Sequence, residues 1–516
     1  MSRPATGRPD HSRRNWLKLA SLGAAAGAVA ACSKWGDEHA ACADNDVREW
    51  TLTTDVIVVG SGAAGTSAAI EARAAGRDVL VLDMLDELGG SSSMSEGVVY
   101  LGGGTPIQHA CGFEDSTEEM YKYLVAASDA RPRLDKLLLD KLRLYCDGSV
   151  EHFSWLLKNG VTFSEKFFDD VGLPTQGESL FYSGNELVFP LRDVARPAPR
   201  GHVAKGGGRQ LMQSLLNSAQ QMGVVYKKDQ AVKRLVQATD GRVLGIALEQ
   251  EGKPVYYRAS RGVVLAAGGF VHNRDMVKLF APELSDIGVP WGCAGDQGLG
   301  ILMGMGAGAA AIRMNQALIA APAYPPASVL KGIVVNAFGQ RFLPEESFYC
   351  GLGQQISTRQ NGRAWLIVDA DSVYVQEDRR VPNVAKANSL AEIEAALKIP
   401  TGALLATTNY YNQHASDGDD PLLQKHPKYV APLIKPPFRA YDLNTHQASY
   451  PHLTCGGLQT RPGSQVVSIW GEDVPGLFAA GRTASGLPSA ACIANGISVG
   501  DATFFGRQAG RSVAGL

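Results

Sequence analysis

Six residues, Gly60-Ser61-Gly62-Ala63-Ala64-Gly65, have the types and spacing that can hold a pyrophosphate. Each glycine has its own duty in such a turn. Gly60 permits the tight bend, Gly62 lets the backbone approach phosphates, and Gly65 lets a following helix pack on the preceding strand. The free N–H groups and positive dipole end of that helix would face the anion. Asp83 stands where a carboxylate can accept from a ribose hydroxyl. The motif by itself also occurs in glycine-rich loops that bind nothing, so its neighbours decide.

The neighbours occur in the required order. Residues 54–59, Thr54-Asp55-Val56-Ile57-Val58-Val59, form a β-branched apolar run that reads as a buried parallel strand. A helical pattern follows over residues 67–75 and stops at Gly76. A second strand over residues 78–82 ends at Asp83. Strand, turn, helix, strand and acid together specify a dinucleotide-binding unit.

The rest of the composition narrows the chemistry. A chain of 516 residues accommodates two or three domains. Its net charge of -2 comes with no clustered basic excess, so no nucleic-acid partner is expected. The eight cysteines, Cys32, Cys42, Cys111, Cys146, Cys293, Cys350, Cys455 and Cys492, are scattered with no CxxC pair. That argues against structural zinc, iron–sulfur clusters and haem attachment. The ten histidines include no HExxH, and no metal is expected. Redox chemistry would then need a bound organic cofactor.

Three further segments carry a resemblance. Leu88-Gly89-Gly90-Ser91-Ser92-Ser93 can add N–H and hydroxyl donors beside a pyrophosphate. Residues 261–269 (Arg261 to Gly269) and 474–482 (Val474 to Arg482) each read as a strand entering a glycine turn. This three-part pattern resembles the FAD-binding fold of the fumarate reductase and 3-ketosteroid dehydrogenase flavoproteins. It covers roughly residues 52–516. Residues 97–106, 110–113, 148–153, 198–203 and 205–208 are similar to the 3-ketosteroid Δ4-(5α)-dehydrogenase branch.

The resemblance implies an α/β fold: a Rossmann-like FAD-binding domain of the glutathione-reductase type with an inserted α+β substrate cap. The expected limits are an export signal and linker over 1–50, FAD-binding parts at 51–313 and 441–516, and the cap at 314–440. Within the cap, residues 332–336 and 364–368 read as strands, and 390–397, opened by Ser389, and 404–415 as helices. The implied cofactor contacts are Gly60, Gly62, Ala63, Ala64, Gly65, Asp83, Met84, Gly90, Ser91, Ser92, Gly97, Val232, Ala267, Gly268, Gly481, Arg482, Ser498 and Val499. No histidine lies between Gly89 and Gly97, where covalent relatives carry their flavin link, so the FAD is expected to be non-covalent.

Desaturation beside a ketone needs a base for the proton on the α-carbon and donors for the enolate-like oxygen. By resemblance, Tyr349 falls where fumarate reductases deliver a proton from arginine, and Gly496 offers its N–H to the carbonyl. The alternative for Phe348-Tyr349 is a core aromatic pair. Arg341 is expected to support the cap. Leu453 precedes Thr454 where dicarboxylate reductases have histidine, which disfavours fumarate or succinate. His452 is expected to be a structural surface residue. The tyrosine that steroid dehydrogenases carry in the C-terminal loop is missing; Cys492 or Ile493 takes its place, with Ser489, Asn495 or Tyr100 as stand-ins.

The implied substrate is a small apolar ketone, a steroid, with a quinone or redox protein as the external electron partner. The alternatives are an exported reductase of a fumarate- or urocanate-like acid, and a non-catalytic flavin-binding protein. The N-terminus carries its own address. Arg13-Arg14 before a small-residue apolar stretch resembles a twin-arginine export signal to the periplasm, and Val29-Ala30-Ala31-Cys32 resembles a lipobox that would anchor Cys32. The alternative is an attached Ala-rich arm on a cytoplasmic protein.

Overall fold

The computed structural model describes residues 38–128, 135–174, 176–322, 329–372, 381–491 and 493–515. The export motif, Cys32 and Cys492 lie outside the described residues. A nine-stranded sheet carries the larger domain. Its strand Leu52–Val59 is flanked in parallel by Val79–Leu82 and by the second half of Lys253–Leu265. Val56, Ile57 and Val58 are fully buried, as a strand covered on both faces requires. The end of Lys253–Leu265 also pairs in parallel with Asp473–Ala479, which returns the last part of the chain to the first.

Two helices pack edge to edge over this sheet. Ala63–Ala74 rises from the glycine turn, and Ile497–Ala514 lies against it. Gly506 and Gly510 make the approach: a Cβ there would sit 2.3 Å from the Ala64 and Ala68 carbonyl oxygens. The buried Arg507 then locks the pair by hydrogen bonds to Glu71 and Glu151. These contacts fix where the N-terminal end of Ile497–Ala514 points, and that end belongs to the site.

The smaller domain is built on a four-stranded antiparallel sheet ordered Ile333–Asn336, Ala364–Val368, Phe438–Asp442, Asn383–Ala387. Alternation along it is decisive. Ile333, Val335, Trp365 and Ile367 face helices Leu390–Leu397 and Ala403–Ala415, while Val334, Leu366 and Val368 join the core shared with the larger domain. Ser389 and Glu392 form a capping box at the first of these helices.

Two expected boundaries shift. Residues 38–50 are not separate from the fold. Cys42–Ala43 adds a parallel edge strand on Val236 and Gln237, and His39 is buried with its Nδ1 at 3.0 Å from the Lys233 oxygen. A polar, irregular stretch gave no periodic signal for an edge strand of two residues. The cap boundary at 440 cuts through Phe438–Asp442, whose four pairs to Ala364–Val368 run as far as Asp442.

Candidate active site

A cavity of about 480 Å³ runs between the two domains. One end is walled by the glycine turn. Gly60 has φ +104°, and a Cβ on Gly65 would lie 1.9 Å from the Gly60 oxygen, so the turn is wound against its own helix. At Gly62, in contrast, a Cβ would meet nothing closer than 3.7 Å, and the backbone is open to a ligand. Asp83 stands beside it. Its carboxylate accepts from Ser61 N at 2.8 Å, Ser61 Oγ at 2.6 Å and Leu85 N at 3.0 Å, and still borders the cavity.

Of the expected cofactor contacts, Gly60, Gly62, Ala63, Ala64, Asp83, Met84, Gly90, Ser91, Ser92, Val232, Ala267, Gly268, Gly481, Arg482, Ser498 and Val499 line this one cavity. Gly65 and Gly97 do not. Gly65 packs on Gly60, and Gly97, at φ +73°, packs on Gly207 and Gly208 with no room for a Cβ. They shape the wall from behind.

Sequence reading missed the most polar part of the wall. Asp296 accepts from Ser91 Oγ at 2.7 Å and Gly269 N at 3.1 Å, and forms a 2.7 Å ion pair with Arg482. Arg482 Nη1 is buried with no hydrogen-bond partner among the described residues, and the residue borders the cavity. The available signal was Gly295-Asp296-Gln297-Gly298, an acid between glycines. Asp296→Ala would strand a buried guanidinium, which typically costs about 3–5 kcal/mol. A lowered melting temperature and weakened FAD retention are expected; unchanged values in thermal unfolding would refute this role. Glu96 was also missed. The residue borders the cavity, desolvation by surrounding protein raises its pKa, and Asn495 Nδ2 donates to its carboxylate at 3.0 Å.

Part of the cavity lining is apolar. Leu299, Met303, Leu318, Phe348, Cys350 and Leu453 line it with Tyr349. Tyr349 opens helix Tyr349–Arg359, is 7% exposed, and meets the Phe348 ring edge-on at 4.6 Å. Its carbonyl accepts from Ala321 N at 3.0 Å. Asn495 and Gly496 line the same cavity, with Gly496 capping the N-terminus of Ile497–Ala514. The helix dipole there favours negative charge.

Other residues move away from the site. Arg341 is buried in the cap between Glu345 and Asp420. His452 is 3% exposed, not a surface residue; its Nδ1 lies 3.0 Å from the Tyr450 oxygen and burial lowers its pKa. Its strand pairs on both edges, which buries a side chain that looked solitary in sequence. Tyr100 and Ser489 are buried off the cavity, as is Ile493. Of the three stand-ins, only Asn495 reaches the wall. Under this loop Lys141 donates to Thr460 Oγ1 and the Ser485 oxygen, while Asp501 accepts from Leu487 N. Burial pushes Lys141 down to about 8 and Asp501 up to about 6.

A glycine turn at the end of the parallel strands of a mixed sheet, opening on a cleft under the second sheet's helix, is the architecture of a dinucleotide-dependent enzyme. Comparison with known proteins agrees and is more specific. Residues 55–499 match the FAD binding domain family. The crystal structure of 3-ketosteroid-Δ4-(5α)-dehydrogenase from Rhodococcus jostii RHA1, in complex with 4-androstene-3,17-dione, is 39% identical, covers 92% of this chain and 100% of that one, and superposes with a TM-score of 0.86. The 3-oxo-5-alpha-steroid 4-dehydrogenase of Comamonas testosteroni is 30% identical over 510 residues, 84% of this chain and 94% of that one. A urocanate reductase of Eggerthella lenta is 26% identical over 90% of this chain and 75% of that one. The chain belongs to the FAD-binding family of fumarate reductases and 3-ketosteroid dehydrogenases. It is an FAD-dependent oxidoreductase of CH–CH groups.

Proposed function

We propose that this protein forms or reduces the C=C bond beside the ketone of a 3-ketosteroid, as its Rhodococcus and Comamonas relatives are named for doing. The apolar wall around Tyr349, with Leu453 where a carboxylate clamp would need histidine, carries the reading. The glycine turn, Asp83, Ser91, Ser92 and Arg482 hold FAD non-covalently. Bound FAD supplies a two-electron hydride acceptor or donor. The protein's own part is the proton and the oxygen. The Tyr349 side chain would take the proton from the α-carbon as phenolate, becoming the phenol, or return it as phenol in reduction, and its low exposure keeps bulk water from competing. The Gly496 N–H and the adjacent helix end hold the carbonyl oxygen as charge builds on it. Tyrosine does this without burying a cation among Leu318, Met303 and Leu453.

A 5α-3-ketosteroid should turn over with a dye acceptor, while fumarate and urocanate should not be reduced. Turnover of either acid, with none on the steroid, would overturn the reading. A quinone or redox protein is the proposed physiological electron partner.

We also propose export of the folded, FAD-loaded chain to the periplasm through the Arg13-Arg14 signal, with Cys32 as the site of a lipid anchor. Replacing both arginines by lysine should hold the protein in the cytoplasm. An unchanged distribution on fractionation would count against the signal. Cys32→Ser should release the exported protein from membranes, and continued membrane retention would count against the anchor.

A further inference from the structure

Tyr349 and Gly496 come from different domains, yet a shared substrate needs their spacing held closely. Displacement by about 1 Å from the productive geometry can cost on the order of 100-fold in rate. Interfaces between domains are commonly polar and free to shift. Something must therefore bind the start of helix Tyr349–Arg359 to the loop that leads into Gly496.

Residues 183–186 make that connection on both sides. Toward the cap, Phe348 N, directly before Tyr349, donates to Asn185 Oδ1 at 2.6 Å. Asn185 Nδ2 also lies 4.0 Å from where a Cβ of Gly351 would be, within the first turn of the same helix. Toward the C-terminal loop, Asn185 N donates to Tyr123 Oη at 2.8 Å, and Tyr123 Oη donates to the Ile493 oxygen at 2.8 Å. Asn495 N donates to the Ser183 oxygen at 2.8 Å, and Ser183 Oγ donates to the Asn495 oxygen at 3.1 Å. Gly184 bridges Ala494, and a Cβ there would lie 2.8 Å from the Ile493 oxygen and 2.4 Å from Tyr123 Oη. Asn185 does not line the cavity.

We propose that Asn185 is a positioning residue that sets the distance between the Tyr349 hydroxyl and the Gly496 amide by binding the cap helix to the C-terminal loop. The proposal rests on the reading in which Tyr349 moves the proton. Asn185 acts by accepting one N–H across the domain boundary while its own backbone is fixed to Tyr123. An apolar residue of similar size keeps the packing and loses the bond. Aspartate keeps an acceptor at the same reach.

The test measures steady-state turnover of a 5α-3-ketosteroid with a dye acceptor, together with FAD content. Asn185→Leu should lower kcat by roughly 10- to 100-fold, with the steroid KM and FAD content little changed. Asn185→Asp should restore kcat to within about threefold of the parent, the acceptor being the feature that matters. Added to Tyr349→Phe, Asn185→Leu should cost less than about twofold more, because one acts through the other. Tyr123→Phe, which removes the hydroxyl beneath Asn185 without changing ring volume, should lower kcat in the same sense. It carries the test should Asn185→Leu lose FAD. If Asn185→Leu or, in that event, Tyr123→Phe keeps parental kcat while Tyr349→Phe is slow, the positioning role is wrong. Failure of aspartate to restore turnover, or a fully multiplicative double variant, would also overturn it. If Tyr349→Phe is itself harmless, the proton reading falls, and this inference falls with it.

Discussion

Tyr349→Phe is expected to lower steroid turnover by about 100- to 10,000-fold, the usual contribution of a general acid–base group. The substitution keeps the ring and its edge-on contact with Phe348, and the helix that begins at residue 349. It removes the only ionisable atom of the side chain. FAD content and melting temperature should therefore match the parent, so the loss would be chemical. Stopped-flow measurement of flavin reduction by the steroid reads the step directly. Near-parental reduction would place the proton relay elsewhere on the wall. Tyr100 is not the next residue to test, because it is fully buried away from the cavity and stacks on Tyr123. Glu96, an ionisable residue that does border the cavity, would be.

Gly208→Val should act on the cofactor instead. Gly208 lies in the first turn of helix Gly207–Gln221, where a Cβ would be 2.4 Å from the Ser92 oxygen and 2.4 Å from Ser95 Oγ. The neighbours are a backbone carbonyl and a hydroxyl already donating to it, so neither can yield cheaply. Overpacking of this kind typically costs about 1–3 kcal/mol, which corresponds to roughly 5- to 150-fold in affinity. The strain falls on the Gly90–Ser93 turn, and Ser91 and Ser92 border the FAD cavity. Purified Gly208→Val should retain little FAD and recover turnover on addition of excess FAD. A variant that stays fully loaded through dialysis would refute the coupling.

Much of the cofactor end was legible in the sequence because its signals are local. A buried parallel strand needs a continuous apolar run, and residues 54–59 supply one. A turn at φ +104° needs glycine, and Gly60 supplies it. The cap helix at Leu390–Leu397 carries its own start signal in Ser389 and Glu392. Tyr349 and Gly496 could be paired only through resemblance to other chains, since nothing in their spacing brings them together. In the folded chain they border one cavity.

Tertiary structure decided the rest. Asp296 and Arg482 are far apart in sequence, and only closure of Asp473–Ala479 onto Lys253–Leu265 brings the second of them to the site. His452 looked solitary until strands on both sides buried it. Asn185 has no neighbour in sequence that marks it, because its partners, Phe348 and Tyr123, come from other segments of the chain. The sequence by itself determined the elements, the turn chemistry and the apolar faces, all set within a few residues by backbone sterics and periodicity. Which polar side chains meet was decided by long-range packing, where a hydrogen bond or ion pair forms only after distant elements have been brought within about 3 Å.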